Sequence, residues 1–427
     1  MCYKIVQDSV HGSIKFDGVL LELLDTPEIQ RLNGIKQLAL SYLTFPGANH
    51  TRLEHSMGVS YIAGLIGKQI DISKEDIEII KVVGLLHDLG HSPFSHTLEP
   101  LLYQKTGKNH MEITTDIISN ERRNMHTSDS HTIKDILEKE GFDIPTIKKI
   151  ITGEIKQDFD ILNQDENQKY FGDSKNYLIQ IINGNMDADQ LDYLMRDSHY
   201  TGASHGIIDY HRIFNTMTLK NGELVFDKRG ISALEGFLVA RSLMYSSVYF
   251  HKTVRIAEMM LSRAVESLNM ENWLKLYEMN DAELLCSLMN GNTYTKDISS
   301  RIKYRRLFKK AFEIDAEKLN DEMKKKLSDI SEKRKLEREI AERAGVQEGY
   351  VLIDVPLDDL HLSEPRLNKI NLKVLEGERV HNITNFSPLA KALQIRQDMS
   401  EKIVVITTKE NIEKVKKSSD MILLESI

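Results

Sequence analysis

The chain has 427 residues, 41% hydrophobic and 28% charged, which is ordinary for a globular protein with room for two or three domains or one large core and an appendage. A net charge of -8 argues against a surface given over to nucleic acid, while leaving room for local basic pockets that take small anions. Two cysteines, no apolar leader in "MCYKIVQDSVHG" and no apolar run long enough for a bilayer predict a cytoplasmic protein without a disulfide framework or membrane contact.

The first three hundred residues read mostly as helix. "TPEIQRLNGIKQL" carries apolar residues at helical spacing, with Thr26 and Pro27 as start signals. "SKEDIEIIKVVGLLHDLG" opens on Ser73, a capping residue with Asp76 three positions on, and Gly90 reads as its stop. Asn221-Gly222 in "MTLKNGELVFD" separates two β-prone runs and predicts a hairpin. "FLVARSLMYSSVYFHKTVRIAEMMLSRAVESL" is another long amphipathic stretch. Over 301–345 lysine, arginine and glutamate crowd out apolar residues. Because the acids are interleaved with the bases, a solvated helical segment is favoured over a basic nucleic-acid arm. Strand-like runs follow in "YVLIDVP", "NKINLKVL" and "KIVVITT". The expected fold is mainly α: a helical core over residues 1–300, a charged helical segment over 301–345, and a smaller α+β region over 346–427.

One stretch asks for more than packing. "VVGLLHDLGHSPFSH" ends an apolar helix with His87, Asp88, His91 and His96. Adjacent residues on a helix diverge by about 100°, so His87 and Asp88 can share one ion only at the helix end. Carbonyl groups there carry partial negative charge and favour a cation. His55 in "HTRLEHSMG" and one aspartate in "MDADQLDYLMRD" can complete the shell, and on spacing alone Asp189 and Asp192 are rivals. Two imidazoles and two carboxylates suit a divalent Fe, Mn, Zn, Ni or Mg. An isolated His-Asp pair is more often a plain hydrogen-bonded pair; the surrounding histidines raise the metal reading above that.

With these residues in view the chain resembles the HD-domain phosphohydrolases, specifically the deoxynucleoside triphosphate triphosphohydrolases. The matching stretches are "DSVHGSI", "DTPEIQRLNGIKQL", "FPGANHTRLEHSMGVSYIAG", "GLLHDLGHSPFSHTLE", "DADQLDYLMRDSHYTG", "DYHRIF" and "YFHKTV", in the family's order from about Lys4 to Leu268. The resemblance implies an all-α HD core and metal ligation by His55, His87, Asp88 and Asp189, with Asp192 structural. It implies that His91 and His96 contact the phosphates near the scissile bond, that His110 is the general acid, and that Arg52 and Arg241 bind phosphate. Tyr193 and Asp197 fall on residues that position the nucleotide, and Gln37 and Tyr249 on residues that check the deoxyribose. The family's lysine after the metal aspartate is Gln190 here, which can donate a hydrogen bond but carries no charge.

The implied reaction is hydrolysis of a dNTP to deoxynucleoside and triphosphate. A second set falls on positions that bind an activator nucleotide (dGTP, GTP or dATP) between subunits of a homotetramer or other homo-oligomer. Lys4, Arg212, His251 and Lys252 match activator-phosphate positions, with Lys228 or Arg229 a looser fit. Asp25 and Gln30 match readers of a guanine edge, while an arginine of that pocket is Asn33 here, which predicts a relaxed base requirement. The rivals are another HD phosphohydrolase, such as a nucleoside monophosphatase or cyclic-dinucleotide phosphodiesterase, and a nucleotide-sensing or nucleic-acid-binding protein in which hydrolysis is secondary.

Overall fold

A computed structural model describes residues 3–121, 131–153, 175–355, 370–397 and 402–424. The fold is mainly α, as expected, and its centre is a pair of helices, Arg52–Gln69 and Lys74–Leu86, packed against each other. Each starts where the sequence supplies a cap. Thr51 and Glu54 form a reciprocal capping box, and the Ser73 hydroxyl accepts from the Asp76 amide. A third helix, Ala188–Thr201, begins at the Asp187 cap and lies against Arg52–Gln69. Leucine, isoleucine and valine from these helices, among them Ile62, Val83, Leu86 and Leu194, are fully buried in one core. Burial of that apolar surface holds the polar ends of the three helices together at one point.

Three expected boundaries differ. Helix Lys74–Leu86 stops at Leu86, with His87 as its cap, three residues before Gly90. Gly90 serves a different need: a Cβ there would lie 2.0 Å from the His110 carbonyl oxygen, so the glycine lets the His110–Ile118 helix approach. "TPEIQRLNGIKQL" is helical only over Pro27–Arg31 before tightening into a 3-10 turn, because Lys36 and Gln37 turn to bridge and hydrogen-bond the His50–Thr51 segment. The long stretch after Phe237 is broken: helix Ile231–Met244 widens into a π turn, Tyr245–Tyr249, before helix Lys252–Glu266. Such π turns recur at functional sites because they re-aim side chains.

The hairpin at Asn221-Gly222 is present, with strands Met217–Lys220 and Glu223–Asp227 and both turn residues at positive φ. Its second strand also pairs in parallel with Lys373–Glu376, which continues into Arg379–Asn382, so this sheet ties the early chain to its last quarter. The charged segment 301–345 is not helical throughout. Lys309–Asp315 is a strand, because Ala311 and Ile314 face a small core while its charged residues face water. It pairs with Lys402–Thr407, which pairs in turn with Val351–Asp354. Helices Ile330–Ala344 and Ile412–Leu424 complete this α+β unit. Among the described residues, no helix is long and apolar enough to cross a membrane.

Candidate active site

The ends of the three central helices bring the four expected ligands together. His55 Nε2 lies 3.0 Å from an Asp189 oxygen and 3.8 Å from an Asp88 oxygen. His87 Nε2 lies 3.3 Å from the other Asp88 oxygen and 3.9 Å from Asp189. His55, His87 and Asp189 offer ligand atoms that all lie within 4.8 Å of one another, a group that could hold a metal ion. The donor chemistry fits a divalent cation. The Nδ1–H of His87 donates to the Gly84 carbonyl at 2.8 Å, which leaves its buried Nε2 facing the carboxylates without a hydrogen-bond partner. The Nδ1–H of His55 likewise donates to Asp192 at 2.8 Å. Second partners of this kind fix the tautomer and ring direction of a ligating histidine. Burial works against a charge on His55, but its hydrogen bonds to the Asp189 and Asp192 carboxylates override this and push its pKa up to about 10. The site therefore favours positive charge at this point.

The two rival aspartates differ in what they face. Asp192 is fully buried and turns away from the cluster. It accepts from His55 Nδ1, from His11 Nε2 at 2.6 Å, and from both Nε and an Nη of Arg196. Arg196 in turn donates to Asp8 at 2.8 Å. Sequence reasoning missed His11, Asp8 and Arg196. His11 and Asp8 lie in a stretch that carried the family resemblance, "DSVHGSI", yet nothing local ties them to a residue 181 positions away.

Arg52 and the remaining histidines form the next layer. Arg52 donates to Asp88 at 2.6 Å and to the Ser95 hydroxyl at 2.7 Å, while one buried Nη has no partner. His91, His96 and His110 gather beside it, with the rings of His91 and His110 stacked 4.2 Å apart. These three could also hold a metal. The Arg52 charge, however, acts on both His91 and His110, which suits contacts to an anion better than a second cation. Glu99, also missed, accepts from His96 Nδ1 at 2.8 Å and from His110 Nδ1. Burial followed by the Arg52 charge holds the His91 pKa well below its ordinary value, so it is neutral. Burial also opposes a charge on His110, but Glu99 more than offsets this and raises its pKa.

A cavity of about 240 Å³ opens from this layer. Arg52, His96, Gln37, Tyr193, Asp197 and Tyr249 all line it. Asp197 is held between the Tyr249 hydroxyl and Nε2 of buried His50, each at 2.7 Å; His50 was not singled out from the sequence. Arg241 does not line the cavity. It is buried one helical turn before Tyr245, which does, and its Nε and one Nη lack hydrogen-bond partners. Gln190 is buried at the helix start, donating to the Gly184 carbonyl at 3.0 Å.

The six expected activator residues lie elsewhere and do not form one site within the chain. Lys4 and Asp25 are ion-paired on the surface at 2.7 Å, and Gln30 donates to the Leu24 carbonyl. Arg212 donates to the Arg229 carbonyl, His251 caps the Lys252–Glu266 helix, and Lys252 is exposed. Among the looser fits, Lys228 pairs with Glu376 and Arg229 with Asp227.

Known proteins agree with this architecture. The HD domain profile matches residues 52–194, and the HD associated region matches residues 208–425. The chain belongs to the HD-domain phosphohydrolase family. An uncharacterised protein of Methanocaldococcus jannaschii is 33% identical over 97% of this chain and 82% of its own length. Deoxynucleoside triphosphate triphosphohydrolase SAMHD1 of Gallus gallus is 30% identical over 74% of this chain, and that of Homo sapiens 29% over 72%. The chain spans 57% and 54% of those two proteins. A hypothetical protein from Aquifex aeolicus of known crystal structure superposes with a TM-score of 0.72 and 28% identity, covering 98% of this chain and all of that one.

Proposed function

We propose that the protein hydrolyses deoxynucleoside triphosphates to deoxynucleoside and triphosphate. The observation that carries this reading is the joining of three features: a His/Asp cluster fit for a cation, the buried Arg52 beside it with one Nη lacking a partner, and a cavity lined by Arg52 together with Gln37, Tyr193, Asp197 and Tyr249. The likeness to SAMHD1 proteins supports it. His55, His87, Asp88 and Asp189 would hold a divalent cation, which supplies positive charge against phosphoryl oxygens and makes water more acidic. The free Nη of Arg52 and the unpartnered donors of Arg241, which does not itself line the cavity, would bind phosphate oxygens, since a buried donor without an acceptor is costly. Neutral His91 would accept or share a proton at the phosphate edge. His110, held toward its protonated form by Glu99, would give one to the leaving 5′-oxygen, as the pKa of a histidine lies near working pH. Tyr193 and Asp197 would position the nucleoside.

Gln37 and Tyr249 would crowd a 2′-hydroxyl, so ribonucleotides are expected to be hydrolysed at least about ten-fold more slowly, a discrimination of some 1.4 kcal/mol. Activator nucleotide bound between copies of the chain in a homotetramer or other homo-oligomer, at Lys4, Asp25, Gln30, Arg212, His251 and Lys252, would raise this activity in the cytoplasm. The test is a panel of dNTPs, given singly and in pairs, with products separated by phosphate chain length. Triphosphate as the first inorganic product is expected. Orthophosphate or pyrophosphate in its place would point to another HD phosphohydrolase.

A further inference from the structure

The cavity does not end at the residues expected to touch the sugar. It continues between helix Lys252–Glu266 and the carboxyl-terminal unit, where Phe250, Arg255, Lys333, Arg334 and Asp354 line it. Two of the three cations there are committed. Arg255 is clamped by both oxygens of Asp354, and Arg334 by Glu266 at 2.9 Å and Glu337 at 2.8 Å. Lys333 differs. It is half-buried on the first turn of helix Ile330–Ala344, and its side chain meets no carboxylate among the described residues. An ammonium group has three donors and no acceptor, so this end of the cavity asks for an oxygen or ring nitrogen of the ligand.

We infer that Lys333 reads O6 of guanine or O4 of thymine, so that the carboxyl-terminal unit selects these two bases over adenine and cytosine, which carry an amino group at the corresponding position. This rests on the reading of the cavity as a nucleotide site. The elements that carry its lining support the direction. Arg52 and His96 belong to the layer beside Asp88 and His91, Tyr249 and Asp197 bond each other, and Lys333 stands apart on a helix of the carboxyl-terminal unit, where the base would lie once phosphates and sugar take the other two groups. The Phe250 ring, with the Arg255 guanidinium 5.6 Å from its centre, supplies an apolar face of the kind bases stack upon. A lysine donating to a keto oxygen of guanine is a common specific contact, and an amino group in the same place would meet the ammonium donor to donor. A site built around one such hydrogen bond rejects the ligand that cannot make it.

The test uses Lys333→Met, which keeps the apolar stem and removes the charge, in the full-length metal-loaded protein. Binding of the four α,β-methylene dNTPs and of inorganic tripolyphosphate is measured by calorimetry. The variant should bind the dGTP and dTTP analogues about ten-fold more weakly, as loss of one charged hydrogen bond implies. The dATP and dCTP analogues should change by less than about two-fold, and tripolyphosphate not at all, since only guanine and thymine use this contact. Equal weakening for all four together with tripolyphosphate would place Lys333 at the phosphates and overturn the inference, as would no change for any ligand. If the wild type binds the analogues in this pattern yet releases pyrophosphate from dNTPs, the reaction assigned above fails and the base assignment stands. If it binds no nucleotide, both fall.

Discussion

Asp189→Ala should empty the proposed metal centre of a protein that keeps its stability, whereas Asp192→Ala should destabilise the fold. The two aspartates sit one helical turn apart, and their surroundings set opposite consequences. Asp189 is the more accessible, 18% exposed against none for Asp192, and it faces His55 and His87. Truncating it leaves His55 bound to Asp192 and His87 bound to the Gly84 carbonyl, so the helices keep their packing and the cation loses one of four ligands. Asp192 satisfies His55, His11 and a buried arginine at once. Removing it strands Arg196 with Asp8 as its remaining charged partner, and breaking such a buried pair costs about 3–5 kcal/mol. For a chain of 427 residues that is a fall in melting temperature of roughly 3–6 °C.

The check is elemental analysis of both purified variants, with thermal melts in chelator so that metal binding does not mask the comparison. Asp189→Ala should show less than about a tenth of the wild-type metal, since three ligands remain but the geometry is open, and a chelated melt close to that of chelated wild type. An Asp189→Ala protein that keeps its metal would remove Asp189 from the ligand set. An Asp192→Ala protein that melts normally would show that the buried network contributes little to the fold.

The distinction between these aspartates marks where sequence reasoning stopped. His87 and Asp88 stood out as candidates because a charged pair ending an apolar helix has no packing purpose, His55 and one aspartate of "MDADQLDYLMRD" could join them, and the resemblance to the family preferred Asp189. Spacing could not separate Asp189 from Asp192, since both lie on faces of one helix that a single turn connects. His11, Glu99 and His50 were not legible. Each acts by holding another functional group through a contact that only tertiary folding creates, and none sits in a periodic or clustered pattern. The same limit explains Lys309–Asp315, whose lysines suggested solvated helix. Its small apolar residues face a core formed from strands that come 36 or more positions later, with nothing local to announce them. Local signals did hold where local physics decides, as at the Ser73 cap and the Asn221-Gly222 turn.

Gly58→Ala, a change of one methyl group that touches no ligand, should be among the most damaging substitutions in the chain. On helix propensity alone it would stabilise, because glycine within a helix costs about 1 kcal/mol relative to alanine. Gly58, however, faces the buried network. A Cβ there would fall 1.9 Å from an Asp192 oxygen and 2.4 Å from an Arg196 nitrogen. Neither can yield, as Asp192 is pinned by three residues and Arg196 by two carboxylates. Relief must come from moving helix Ala188–Thr201 away from helix Arg52–Gln69, which separates Asp189 from His55 and opens the metal centre. Overpacking of a close-packed site costs about 1–3 kcal/mol, and the disrupted ion pair adds to it. Gly236→Ala is the matched control. It lies in helix Ile231–Met244 with no atom within 4 Å of the added Cβ, and should gain about 0.5–1 kcal/mol. Urea unfolding of both variants, with metal content measured on each, should give opposite signs of stability change and metal loss only for Gly58→Ala. If Gly58→Ala were stabilised like Gly236→Ala and kept its metal, the contact between the two helices that positions His55 against Asp189 could not be as close as 1.9 Å implies.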